Sequence, residues 1–367
     1  MTRGLTADAQ QAPGALPGGH QARPLASPAT LSDVAARAGV HPGTASRALN
    51  PDRVGLVSHA TAARVQRAAR ELGYQPNRIA VSLRTRRTCT AGILVADLCD
   101  PLDAALARGA EDYLAAAGYL PVIRSTGPDP DAAQAVISQM RAHHADGLIL
   151  ATGHGSALAA GGGEARPPHL PAVWAGPAAE AAGLPAVCAD YTLGIQMVMD
   201  HLARAGHRVI GRVTGPGARA GLGDLAAAAA AAGLAAPPCL ARTGRALSVV
   251  EGRRCAQRIL ADPAACTALV TTSDMLAAGC CRAVREAGRS CPQDVSVTGF
   301  GDAALAGSAD PPLTTVRLPG YRAGAAAARL LVSLLDGPGW PASTALVPPR
   351  LIIRRSSGPP PQGGLGG

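Results

Sequence analysis

Apolar residues fall in two different rhythms along this chain. Between Thr30 and Asn50 they recur at helical spacing: Leu31, Val34, Ala35 and Ala38, then Ala45, Ala48 and Leu49. Thr30 with Asp33 three residues on is a capping-box signature, Gly39 suits a left-handed helix stop, and Pro42 suits a first helical position. The stretch therefore predicts two short helices joined by a tight turn, with Thr44, Ser46 and Arg47 left on the outer face. That helix-turn-helix geometry fits a major groove, although two ordinary packed helices would show the same spacing. A third helix is predicted from Ser58, with Val65, Ala68, Ala69 and Leu72 as its buried stripe, Gly73 as its stop and Tyr74 at the edge of the small core. Asn77 can cap a further helix of about two turns, too short to be stable alone in water.

From Ala91 the rhythm changes to short apolar runs alternating with longer helical segments. Strands are expected at 92–96, 120–123, 147–151, 172–174, 186–188, 209–213, 268–271 and 295–299. Helices are expected at 102–117, 130–143, 192–205, 222–232, 249–260, 275–287 and 320–335. This alternation implies parallel sheets covered by helices on both faces, in two lobes with a cleft between them. Ligands in such folds bind at the carboxyl ends of the strands. Residues 1–29, rich in Gly, Pro, Ala and Gln, read as a disordered extension, and 356–367 as a disordered tail.

Charge sharpens the division. All 34 basic residues are Arg. Residues 1–90 hold 12 of them against four acids, whereas the remaining 277 residues hold 22 against 21, so nearly all of the +9 net charge sits in the first quarter. A basic first quarter around a helix-turn-helix is the footprint of a polyanion-binding surface. The nine cysteines lack metal-ligand spacing and read as reduced thiols of a cytosolic protein. No apolar run is long enough for a membrane span, and the N-terminus has no signal-peptide pattern. No phosphate loop, dinucleotide fingerprint or nucleophile elbow is present, and His143-His144 reads as a solvated helix end, so neither an enzyme nor a metal or other cofactor is expected.

Residues 30–355 resemble the lactose-repressor (LacI/GalR) family of bacterial transcription factors. The resemblance rests on LSDVAARAGVHPGTASRALN, ARVQRAARELGYQPNRIAVSLRT, GILVADLCDPL, ADGLILA, VCADYTLG, DHLARAGHRVIGRVTGP and the long run from TTSDMLAAG through DPPLTTVR. It implies a small all-α helix-turn-helix DNA-binding domain plus an α/β two-lobed, periplasmic-binding-protein-like effector domain. The implied boundaries are 30–76 for the first, 77–90 for a hinge helix and linker, and 91–355 for the second. The lobes would divide as 91–187 plus 302–317 and 188–301 plus 318–355. The implied partners are near-palindromic double-stranded operator DNA, a second copy of the chain, and a small carbohydrate-like effector that tunes operator affinity, all in the cytoplasm.

By similarity, His41, Pro42, Thr44, Ser46 and Arg47 meet the DNA at the recognition helix, and Asn77, Arg78, Ala80, Leu83 and Arg84 meet it at the hinge. Arg47 suits either a bidentate contact with guanine or a phosphate clamp. His41 fits a helix cap as well as a contact. Leu83 matches the leucine that such proteins wedge into the minor groove, though the residues alone also fit a core leucine. Pro42-Gly43 stands where many relatives carry longer polar side chains, which narrows direct base reading. For the effector, Asp274, Asp190, Trp174, Arg219, Pro101 and Phe300 are the candidate contacts, each with a packing or capping alternative. Gly176 and Gly221 replace a ligand-binding Asp and Arg common in the family. A regulator that has lost its effector is therefore the second reading, and a solute-binding protein a third.

Overall fold

The Thr30 hydroxyl accepts from the Asp33 N–H at 3.3 Å, and the Asp33 carboxylate accepts from the Thr30 N–H at 2.8 Å. This reciprocal pair is the expected capping box and starts α1 (Leu31–Ala38). The two hydrogen bonds from Thr30 also hold the Asp33 carboxyl below its usual range. Gly39, at φ +63°, ends the helix. The His41 ring begins α2 (Pro42–Ala48), and the Ser58 hydroxyl, accepting from the Thr61 N–H at 3.3 Å, begins α3 (His59–Glu71). Their shared core is Val34, Ala35, Ala38, Ala45, Ala48, Ala62, Val65, Ala68 and Ala69, with Leu31, Leu49 and Tyr74 at its edge. Leu72 is 37% exposed, outside the stripe expected for it, because α3 ends just before it.

The computed structural model describes residues 29–50, 56–75, 82, 87–127, 129–151, 170–176, 184–215, 224–262, 266–337 and 344–361. Two compact units divide at Val81/Ser82. The first contains α1 to α3.

The second unit holds two six-stranded sheets. In chain order the strands are β1 (Thr90–Val95), β2 (Leu120–Ser125), β3 (Gly147–Ala151), β4 (Ala172–Trp174), β5 (Ala186–Ala189), β6 (Ile210–Thr214), β7 (Ala241–Thr243), β8 (Ala268–Thr271), β9 (Ser296–Gly301), β10 (Thr314–Arg317), β11 (Thr344–Val347) and β12 (Arg350–Ile352). The helices are α4 (Pro101–Ala116), α5 (Pro130–Ala142), α6 (Tyr191–Ala205), α7 (Leu225–Ala231), α8 (Val249–Leu260), α9 (Asp274–Glu286), α10 (Ala304–Ser308) and α11 (Gly320–Asp336). The first sheet runs β11-β5-β4-β3-β1-β2 and is parallel throughout. The second runs β12-β10-β9-β8-β6-β7, with only β12 antiparallel to its neighbour. Strands buried on both faces, such as β3 and β8, read as unbroken apolar runs for this reason.

The expected lobe division is reversed at its C-terminal end. Residues 314–317 were expected with the first sheet but form β10 of the second, where Thr314, Thr315 and Val316 are fully buried beside β9. Residues 318–355 were expected with the second lobe, and of their elements only β12 pairs there. Instead α11 lays Ala323, Ala327, Ala328, Leu330 and Leu331 into the core of the first sheet, and β11 pairs with β5. Close approach decides α11's partner: a side chain at Gly324 would strike the Leu106 carbonyl of α4, so the two backbones touch there. The chain thus passes between the sheets after β5, after β10 and between β11 and β12.

The expected disordered tail is also corrected in part. Residues 356–361 run as a strap along the starts of the second sheet's strands. Ser356 is fully buried, donating from its hydroxyl to the Val297 carbonyl at 2.5 Å and accepting from the Thr314 N–H at 2.9 Å. Gly358 donates to Ser296 Oγ at 3.0 Å, and its carbonyl accepts from His207 Nε2 at 2.9 Å. Among the described residues no helix is long and apolar enough to cross a membrane, and no group of three His, Cys, Asp or Glu is placed to hold a metal ion.

Candidate functional site

The first candidate surface is built on α2. Nδ1 of His41 accepts from the Gly43 N–H at 3.1 Å, so the ring satisfies an orphan donor of the first turn. Arg47 sits four residues after Gly43 and donates from Nε to the Gly43 carbonyl at 3.1 Å. This bond folds the arginine stem back along the helix, with His41 and Arg47 standing on either side of Gly43. A Cβ at position 43 would lie 3.3 Å from His41 Nδ1, which accounts for the small residue between them. His41, Pro42, Ser46 and Arg47 are exposed and Thr44 is half-buried, while Ala45 and Ala48 anchor the other face. Four of the five recognition-helix candidates are thus exposed, and Thr44 lies at the margin of the buried face.

Arg64, Arg67 and Arg70 on α3 are exposed as well, and Arg37 of α1 pairs with Glu71 at 2.8 Å. A groove of about 510 Å³ lies between the ends of α2 and α3, lined by Leu49, Gln66, Ala69, Arg70, Gly73, Tyr74 and Gln75. The hinge candidates Asn77, Arg78, Ala80, Leu83 and Arg84 lie outside the described residues.

The second candidate region is the carboxyl-terminal edge of the two sheets, where Phe300 clusters with Tyr191, next to Asp190, and Leu102, next to Pro101, and where the Asp274 carboxylate lies against the glycines flanking Phe300. Trp174 ends β4 and is only 1% exposed, packed in the core with Leu94, Ile137, Met140 and Leu150. Its indole occupies the space a side chain at 176 would need: a Cβ on Gly176 would lie 2.8 Å from Trp174 Cζ2. Glycine at 176 is therefore a packing consequence of the tryptophan. Asp190 caps α6, accepting from the Leu193 N–H at 2.9 Å. Phe300 is buried and stacks on Tyr191, ring centroids 6.1 Å apart and 12° from parallel. Pro101 is the exposed first residue of α4, after the Asp100 cap. Arg219 and Gly221 lie outside the described residues.

Asp274 is the first residue of α9, and its helix is capped by Ser273 rather than by Asp274 itself. Its carboxylate is 2% exposed and already engaged: Oδ1 accepts from the Thr315 hydroxyl at 2.5 Å and Oδ2 from the Ala303 N–H at 2.7 Å. Burial pushes its carboxyl above the usual range, against those two hydrogen bonds. It joins α9, β10 and the start of α10.

Two features escaped sequence reasoning. Asp302 follows β9 at φ +55° and accepts from Arg317 Nε at 2.6 Å and Arg354 Nη2 at 2.7 Å, with a carboxylate 5% exposed. An aspartate directly after Gly-Phe-Gly at a strand end was the available signal. The other is a rim of hydroxyls at the ends of β6, β7 and β8. Thr214 and Thr243 share a hydrogen bond at 3.0 Å, Thr272 Oγ1 accepts from the Gly215 N–H at 3.1 Å, and Ser273 stands beside them. Leu247, 45% exposed, lies over Gly215, where a Cβ would strike it. Single threonines in a strand-and-turn context carry no spacing signal, so they were not legible beforehand.

Comparisons with known proteins match both parts of the chain. A family model described as bacterial regulatory proteins, lacI family, matches residues 30–77, and one described as periplasmic binding protein-like domain matches 199–357. The chain is 32% identical over 335 residues to the HTH-type transcriptional repressor CytR of Escherichia coli (strain K12), covering 90% of this chain and 96% of that one. It is 32% identical over 340 residues to the HTH-type transcriptional regulator MalR of Streptomyces coelicolor, covering 90% and 97%. Among solved structures, the lac repressor dimer bound to operator and an anti-inducer matches with a TM-score of 0.77 at 24% identity, over 90% of this chain and 100% of that one. A complex of the transcriptional regulator CelR with cellobiose matches with a TM-score of 0.63 at 29% identity, over 89% and 99%.

Proposed function

The chain belongs to the lacI family of bacterial regulatory proteins, and from that premise we infer a DNA-binding transcriptional repressor that acts as a homodimer on a near-palindromic operator. Its operator affinity responds to a small carbohydrate-like effector between the two sheets. The observation that carries the DNA reading is α2, where Ser46 and Arg47 are exposed and Thr44 half-exposed on a helix capped by His41 and anchored by Ala45 and Ala48. Arg47 is the residue best shaped for a paired contact with guanine, and Thr44 and Ser46 supply short donors. CytR is a transcriptional repressor and the lac repressor was solved on its operator, which supports the same use of this unit. The reading assigns binding and not catalysis to the chain, and places its work in the cytoplasm.

For the effector, the support shifts from the sequence candidates to the hydroxyl rim. Thr214, Thr243, Thr272 and Ser273 offer donors and acceptors at the carboxyl ends of β6 to β8, and Leu247 offers an apolar face. Hydroxyls around one apolar wall suit an uncharged, hydroxyl-bearing ligand such as a sugar. The complex of CelR with cellobiose shows such a ligand in a similar protein. Effector binding would change operator affinity by shifting the population of two lobe arrangements.

Selection of the full-length protein against random duplexes tests the DNA reading. Enrichment of a near-palindrome is expected, and the absence of any sequence preference defeats it. A second reading, a regulator without an effector, is favoured by the structural employment of Trp174, Asp190, Asp274 and Phe300. A thermal-shift screen with sugars, sugar phosphates and nucleosides separates the two, because a ligand that binds the native state raises the melting temperature.

A further inference from the structure

Cys281, in α9, and Cys291, in the turn before β9, bring their sulfurs within 3.9 Å of each other. All nine cysteines are free thiols. Cys281 is buried at 3% exposure, whereas Cys291 is half-buried and reachable from solvent. Cys291 donates its S–H to the Ser356 carbonyl of the strap at 3.4 Å, which leaves its sulfur to accept from Cys281. The turn that carries Cys291 is braced on itself: Ser290 N–H donates to the Asp294 carboxylate at 2.6 Å, and Asp294 N–H donates to the Ser290 carbonyl at 2.9 Å.

We propose that Cys281 and Cys291 are a redox pair that hydroperoxides convert to an intramolecular disulfide. The accessible Cys291 reacts first. Its thiolate sulfur attacks the peroxide, the O–O bond breaks, water or an alcohol leaves, and Cys291 becomes a sulfenic acid. The Cys281 sulfur then attacks the Cys291 sulfur. The S–S bond forms, the S–O bond breaks, and the departing hydroxide takes the Cys281 proton as water. Two thiols lose two electrons in all, and one peroxide is reduced.

Geometry favours this pair over the other thiols. Closing to a disulfide needs the sulfurs to approach to about 2.05 Å, a shift of about 2 Å that side-chain rotation and a small movement of the turn can share. Cys281 is buried, so peroxide reaches Cys291 first and Cys281 is the neighbouring sulfur left to resolve it. Cys99 and Cys239 are exposed and serve as internal controls for simple accessibility. The bond would pin the second half of α9 to the turn beneath the strap, at the opposite end of the helix from Ser273 and Asp274.

The test uses the reduced full-length protein, treated with hydrogen peroxide, blocked with N-ethylmaleimide and digested with trypsin. Arg282, Arg285 and Arg289 lie between the two cysteines, so the disulfide appears as two joined peptides lighter by two hydrogens. Expected are loss of both thiols together, reversal by dithiothreitol, and disappearance of the joined species in Cys291→Ser. In Cys281→Ala the Cys291 sulfenic acid should persist and be trapped by dimedone. If that buried variant does not fold, Cys291→Ser alone carries the test. Oxidation of Cys291 to the sulfinic acid while Cys281 remains a thiol overturns the proposal. So does a peroxide response confined to Cys99 and Cys239.

Discussion

Thr315 donates its hydroxyl hydrogen to Asp274 Oδ1 at 2.5 Å, joining a strand of the second sheet to the first residue of α9. Both residues are buried, and the other carboxylate oxygen is taken by the Ala303 N–H. Removing the hydroxyl while keeping the shape leaves a buried carboxylate oxygen without its donor. Thr315→Val should therefore lower unfolding stability by about 1–3 kcal/mol, read as a fall in the urea midpoint. A variant as stable as the parent would show that Asp274 is not held this way.

His207 gives stability a pH dependence of definite sign. The ring is fully buried, and Nε2 must carry its hydrogen because the Gly358 carbonyl can only accept; Nδ1 then accepts from the Thr267 hydroxyl at 2.7 Å. Burial, first, and the neighbouring His201 push this imidazole below its ordinary 6.5. The unfolded chain thus takes up the proton first as pH falls. The stabilising effect is whole above 6.5 and declines below it, by at most about 1.4 kcal/mol per pH unit for one histidine. Asp33, Glu251 and Glu286 are also shifted downward, but from 3.8 and 4.5, so their losses come at lower pH. Urea unfolding from pH 7 to about 5 should show the decline, and His207→Gln should flatten it. An unchanged slope would reassign the effect to His201.

Trp174 and Gly176 form a packing pair that can be broken from the glycine side. A Cβ at 176 would sit 2.8 Å from Trp174 Cζ2 and 2.9 Å from Cε2, closer than carbon atoms tolerate. Gly176→Ala should cost about 1–3 kcal/mol through overpacking and should alter the tryptophan emission of the folded protein. Unchanged stability and emission would mean that the indole is not confined there.

Arg47→Ala should weaken binding to the selected operator by about 1–3 kcal/mol and relax the preference at one base pair per half-site. Binding to single-base operator variants provides the measurement. A uniform loss across all sequences, with a shallower salt dependence, would make Arg47 a phosphate contact instead.

The helix-turn-helix unit was readable because each boundary is written locally. Thr30 and Asp33 bond to one another, Gly39 takes the left-handed turn, and His41-Pro42 opens the next helix, all within a few residues. The βαβ rhythm was readable for the same reason. The surroundings of the candidate effector residues were not, because a strand-end residue has two faces and the sequence does not mark which one meets the cleft. Trp174 and Phe300 turn inward to cores made by distant elements, and Asp190 spends its carboxylate on the next turn of chain. The lobe division failed at 302–347 because the deciding contacts are remote: α11 meets α4 across more than 200 residues, as in the Tyr321 hydroxyl on Asp112. The strap at 356–361 looked like a Pro/Gly-rich tail, and only the buried hydroxyl of Ser356 and the waiting His207 ring make it structure.

The three passages of the chain between the sheets also set an order in time. β11 at 344–347 completes the first sheet, and β12 at 350–352 with the strap completes the second. A ribosome making this protein can release the helix-turn-helix unit well before the sheets are complete, and neither sheet can close until residues 344–352 have emerged. Both half-built sheets then wait together with an open edge, β5 in one and β10 in the other. Cutting the gene between the lobes would not shorten that wait, because no single stretch of sequence encodes either one.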